Sequence, residues 1–252
     1  MFEQITKVWK MARPRHLLKA LLSPSHALRA FKYHYRRVSE RSFVEFFAKQ
    51  QGCSNGHLEN LYADFNRNYL FWEEIRSKLS SYPNGYGQQM TMELPSLYIL
   101  LRLLKPNRIL ETGVASGSSS AYLLCALRDN KKGKLYSIDL PPDDLPKGKH
   151  AGWIVPEHLR DYWSLHIGDS KELLEPLLEE IGEIDCFVHD SLHTYEHMIW
   201  EFRTAWEYIR PNGLFLSHDV GANGAFFDLM KEKGIPWSSY RVFHVLGGFQ
   251  KP

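Results

Sequence analysis

From residue 108 onward, short apolar runs alternate with longer stretches whose apolar positions recur at helical spacing. The runs Arg108–Glu111, Lys134–Asp139, Ser164–Ile167, Ile184–Asp190 and Gly213–His218 predict strands, and helical segments follow most of them. Alternation of this kind argues a doubly wound α/β architecture around a mostly parallel sheet. Near the end, Tyr240–Val245 and Gly248–Gln250 predict a hairpin that would be antiparallel at one edge.

Ahead of the alternation the pattern is purely helical. Residues 1–41 read as helices broken at Pro14 and Pro24, with Ser23 and Pro24 as a cap and first-turn pair. Leu28, Phe31, Tyr35 and Val38 then fall on one face, with Arg29, Lys32 and Arg36 beside them. A second helix is predicted over 57–79, carrying Tyr62, Phe65, Tyr69, Trp72 and Leu79 in register with Leu58 and Leu61 alongside. That stripe reads as core, and a cap over an acceptor is the sharper alternative. Residues 81–87, with Pro83-Asn84-Gly85, make a loop, and Glu93–Leu104 a helix leading into the first strand. The chain therefore divides into a helical extension, 1–80, and an α/β domain, 88–252.

Composition narrows the class. At 252 residues the chain can bury one substantial core, and 44% hydrophobic against 24% charged residues is ordinary for a globular protein. No apolar run approaches the roughly 20 residues that span a bilayer, and no signal for secretion is expected. Cys53, Cys125 and Cys186 are odd in number, and the last two sit in apolar runs as small hydrophobes, so a reduced, cytoplasmic setting is expected.

Net charge of +2 conceals an asymmetry. Residues 1–41 hold ten Lys or Arg against Glu3 and Glu40, so the remainder is net acidic. Such an arm suits a peripheral membrane contact, docking on the chain's own acidic body, or a homo-oligomer interface. Nothing points to nucleic acid, because the basic excess is confined to the arm.

The chemistry gathers first around Arg108–Leu124. A short strand ends in Glu111, Gly113 and Gly117 make a turn, and Ser118, Ser119 and Ser120 offer N-cap hydroxyls ahead of an apolar helix. Glycines let a ligand approach the backbone closely, and a helix N-terminus presents free N–H groups. The spacing is not the G-x-G-x-x-G of dinucleotide folds. Glu111-Thr-Gly113-Val-Ala-Ser-Gly117 instead resembles the first motif of class I S-adenosylmethionine-dependent methyltransferases. The resemblance implies a Rossmann-like sheet, with the cofactor against Glu111, Gly113, Ala115, Gly117, Ser118, Ser119 and Asp139.

Ligands of open α/β sheets lie at the carboxyl ends of strands. Asp139 ends the second strand, where a carboxylate can accept hydrogen bonds from ribose hydroxyls. Asp169 and Ser170 follow the third, and two readings stand open: contact with the adenine, or an N-cap for the helix over 171–180. Asp190 and His193 in Asp190-Ser-Leu-His-Thr-Tyr-Glu196, and His218-Asp219 after the fifth strand, put two acids and two histidines at neighbouring sheet edges. Asp190, His218 and Asp219 suit a divalent cation such as Mg²⁺, and His193 a proton acceptor.

Those two segments, with Ile-Arg-Pro-Asn-Gly at 209–213, resemble the methyltransferase branch of macrocin O-methyltransferases and cephalosporin hydroxylase-like proteins over about Gln88 to Val220. In that branch an acid at the position of Asp190 and a pair at 218–219 hold Mg²⁺, and the base maps onto His193. His218 departs from the pattern, because nitrogen is a poor ligand for Mg²⁺. The expectation is an S-adenosylmethionine-dependent O-methyltransferase acting on a small-molecule or glycan hydroxyl. The rivals are a non-methylating relative and a membrane-surface scaffold.

Overall fold

The computed structural model describes residues 38–80, 95–141, 145, 147–241 and 245–252. The helices expected over 1–37, the loop at 81–87 and the start of the helix at Glu93 lie outside the described residues. The stretch Val38–Pro252 forms one compact unit.

Seven strands form one sheet: β1 Arg108–Thr112, β2 Lys134–Asp139, β3 Trp163–Ile167, β4 Ile184–His189, β5 Ile209–Ser217, β6 Ser238–Arg241 and β7 Val245–Gln250. Their order is β3-β2-β1-β4-β5-β7-β6, parallel through the first five and antiparallel at β7. Strand β4 is buried at every residue, as a central strand covered on both faces must be. The helices are α1 Glu40–Gln50, α2 Asn55–Arg67, α3 Tyr69–Ser80, α4 Pro95–Leu104, α5 Ser118–Asn130, α6 Ser170–Ile181, α7 Tyr195–Tyr208 and α8 Ala225–Lys233, with a 3₁₀ turn at Glu157–Tyr162.

The antiparallel edge is present with shifted bounds. Val245 belongs to the second strand of the ribbon, and residues 242–244 lie outside the described residues. Gly247, expected in the turn, pairs with Ser217, and Gly248 pairs with Leu216. A Cβ on Gly248 would stand 2.7 Å from the Phe215 carbonyl oxygen, so glycine is present there because two backbones approach closely.

The single helix expected over 57–79 is two. The Asn68 side-chain amide donates to the Asp64 carbonyl at 3.1 Å and the Asp129 carboxylate at 3.0 Å, a local alternative to the helical ladder. The Phe65 carbonyl accepts the Trp72 indole N–H at 2.8 Å. Tyr69, expected on the apolar stripe, is therefore turned out to 62% exposure. The rest of the stripe is core: Trp72 stacks on Phe65 and on Tyr122 of α5, each at 4.7 Å between ring centroids. Phe43 and Phe47 of α1 join the same cluster.

Candidate active site

Successive side chains of a strand point to opposite faces, and the last two residues of β1 use both. Glu111 faces α5 and β2. One carboxylate oxygen accepts from Ser119 Oγ at 2.7 Å, and the other from Ser120 Oγ and Ser137 Oγ, each at 2.7 Å. The Trp163 indole N–H in turn donates to Ser137 Oγ at 2.8 Å. Complete burial pushes the Glu111 carboxyl up to about 7, against the opposing pull of the three hydroxyls. The serines thus brace Glu111; the N-cap of α5 is Gly117 itself, in the left-handed region at φ 93°. This corrects the expected capping role, and its cause is the buried acid, which claims the hydroxyls.

The turn between β1 and α5 is held from two sides. Gly113 has φ 85°, and its N–H donates to the Ile138 carbonyl at 2.9 Å. Ala115, also left-handed at φ 48°, costs roughly 1 kcal/mol of strain, and its N–H donates to Asp139 Oδ2 at 2.8 Å. Behind the turn, the Gly152 N–H donates to the Ala115 carbonyl at 2.8 Å and the Ile154 N–H to the Ser116 carbonyl at 3.2 Å. Arg160 and Lys78 hold that backing segment through the Gly152 and Ile154 carbonyls, at 3.1 and 3.2 Å. The turn, the start of α5 and the half-buried Asp139 carboxylate share one edge of the sheet.

Leu140 and Ile167 stand 56% and 51% exposed at the adjacent ends of β2 and β3. Sequence reasoning passed over both. For Leu140 the signal was an apolar residue directly after the strand-ending Asp139. Asp169 is the N-cap of α6, its carboxylate accepting from the Lys171 N–H at 2.9 Å. Ser170 is buried, with Oγ 3.2 Å from His197 Nε2.

Across the switch point, β4 and β5 deliver the other cluster. His193 Nε2 lies 3.6 Å from Asp190 Oδ1 and 3.8 Å from Asp219 Oδ2, and it is buried although the side chain is 27% exposed. Asn223 anchors the same turn by donating to the His193 carbonyl at 3.1 Å. Asp219 sits in the left-handed region at φ 49°. His218 is buried, with its N–H on the His189 carbonyl at 2.8 Å. The imidazole of His193, more than His218, thus stands between the two acids. Among the described residues no three His, Cys, Asp or Glu side chains converge on a point that would hold a metal ion. The expected set of Asp190, His218 and Asp219 is not assembled as a coordination sphere. No described helix is long and apolar enough to cross a membrane.

Two independent comparisons bear on this arrangement. Residues 110–220 match a family model described as a methyltransferase domain. Among solved structures, the chain resembles a methyltransferase from Podospora anserina bound to S-adenosylhomocysteine at 17% identity and TM-score 0.52, covering 79% of this chain and 97% of that one. It also resembles TomG of Streptomyces achromogenes, an O-methyltransferase involved in tomaymycin synthesis and solved with S-adenosylmethionine, at 18% identity and TM-score 0.52, covering 71% and 90%. No curated protein sequence matches the chain. Residues 110–220, from β1 to just past β5, thus match a methyltransferase domain, on a fold shared with solved methyltransferases.

Proposed function

We propose that the chain methylates a hydroxyl group of a small molecule or sugar, with His193 as general base. The observation that carries this reading is His193 Nε2 held within 4 Å of both Asp190 and Asp219, at the sheet edge next to the glycine turn. A methyl sulfonium needs little help beyond alignment with its acceptor, so the residues a transferase must supply are those that orient two reactants and remove a proton.

In this reading Asp139 receives the ribose hydroxyls, Leu140 and Ile167 lie against the adenine, and the backbone of the 113–117 turn approaches the carboxypropyl arm. When bound, S-adenosylmethionine supplies the electrophilic methyl group. The acceptor hydroxyl, held beside His193, gives its proton to the imidazole as the new C–O bond replaces the C–S bond. Asp190 and Asp219 offset the positive charge that the imidazole acquires.

The test is calorimetric titration of the purified chain with S-adenosylhomocysteine, followed by a screen of phenolic, polyol and glycoside acceptors for release of that product, with and without Mg²⁺. Micromolar binding, and turnover that falls by about 10²-fold or more in His193→Ala, are expected. Absence of binding overturns the reading, as does transfer that proceeds at full rate without His193.

A further inference from the structure

Glu201 is fully buried in α7. Its Oε2 accepts from Thr112 Oγ1 at 2.7 Å and from Ser191 Oγ at 2.9 Å, and its Oε1 from His197 Nε2 at 2.8 Å. His189 Nε2 lies 3.5 Å away, and the other nitrogen of that ring is 3.2 Å from Ser217 Oγ. Burial keeps His189 neutral, pulling it down to about 3, whereas the donors around Glu201 hold its carboxyl below the usual range despite burial. An ionised carboxylate in such a place carries a desolvation cost that a leucine would avoid. The network is a poor way to stabilise a core, and its geometry indicates what it holds.

Its two hydroxyl partners sit at the two halves of the site. Thr112 directly precedes Gly113 of the cofactor turn, and Ser191 directly follows Asp190, two residues before His193. The backbone at Thr112 is already fixed, because its carbonyl accepts the Asp190 N–H at 2.7 Å. Beyond Asp190 the chain leaves the sheet, and Ser191 is the point at which the turn carrying His193 is tied down from below.

Resting on the reading of His193 as base, we propose that Glu201 is a positioning residue: one carboxylate spans Thr112 and Ser191 and sets the place of the His193 turn relative to the methyl donor. It touches neither reactant.

The test needs no acceptor. Diethyl pyrocarbonate labels accessible imidazoles, and mass spectrometry resolves His193 from the exposed His57 and His158. In Ser191→Ala and Glu201→Ala, His193 is expected to label at least threefold faster, with His57 and His158 unchanged and the dissociation constant of S-adenosylhomocysteine within threefold of wild type. Glu201→Gln, whose amide can still bridge the hydroxyls, should fall back toward the wild-type rate. If His193 labels at the wild-type rate in Ser191→Ala, or in a Glu201→Ala protein that retains its melting transition, the proposal is overturned. Uniform acceleration at all three histidines, with cofactor affinity lost, equally overturns it in favour of general loosening. Should Glu201→Ala not fold, Ser191→Ala decides alone. Failure of the wild type to bind S-adenosylhomocysteine would sink the methyltransfer reading and leave the labelling result intact.

Discussion

Gly113 and Asp190 pack backbone against backbone: a Cβ built on Gly113 would lie 2.1 Å from the Asp190 carbonyl oxygen. The glycine turn and the turn that carries His193 are therefore in direct contact, and φ of 85° at Gly113 removes any escape by rotation. Gly113→Ala should cost at least ~2 kcal/mol and abolish S-adenosylhomocysteine binding. A thermal melt and a calorimetric titration check both. A variant that binds normally would show that the two turns move independently.

His193→Ala and Asp190→Asn separate chemistry from binding. Removal of a general base lowers turnover by about 10²- to 10⁴-fold, and His193→Ala should do so with cofactor affinity unchanged. Asp190→Asn leaves the imidazole without its nearer carboxylate, 3.6 Å away, and should reduce the rate by a smaller factor. Steady-state kinetics beside calorimetry distinguishes these from a folding defect.

Asp139 ends β2 and Asp169 follows β3 in the same sheet, but they are engaged differently. Asp169 caps α6, so Asp169→Ala should cost about 1 kcal/mol of stability, with little change in cofactor affinity. Asp139 holds the Ala115 N–H and is half exposed toward the ligand edge, so Asp139→Ala should weaken S-adenosylhomocysteine binding by tenfold or more. The reverse ranking would place the ribose at the other acid.

Glu111 makes stability depend on pH in a direction opposite to that of most carboxylates. Its folded value of about 7 stands above the ordinary 4.5, so the native state holds the proton more tightly than the unfolded chain. The resulting stabilisation is complete below about pH 4.5 and is lost as pH rises through 7, a contribution of up to about 3 kcal/mol. Glu201, held below the ordinary value, acts in the other direction and only under acid conditions. Melts at pH 5 and pH 8 should show the wild type losing several degrees relative to Glu111→Gln. Parallel curves for the two proteins would mean that Glu111 stays ionised throughout.

The five parallel strands, the glycine turn and the acids that end β1, β2 and β4 were readable from residues 108 to 219 alone, because each depends on local periodicity and on turn chemistry carried within a few positions. Local rules failed where a distant group competed for the same atoms. Ser119 and Ser120 read as caps until Glu111, eight and nine residues away, claimed their hydroxyls. The helix over 57–79 read as continuous until Asp129, sixty-one residues from Asn68, drew that amide out of line. The placement of His193 between Asp190 and Asp219, and the burial of Glu201 beneath them, needed β4 and β5 to lie side by side. The sequence alone determined the strands, the glycine turn and the candidate acids and histidines at their ends; which of those side chains meet was decided by the order of strands across the sheet, through contacts that no spacing along the chain encodes.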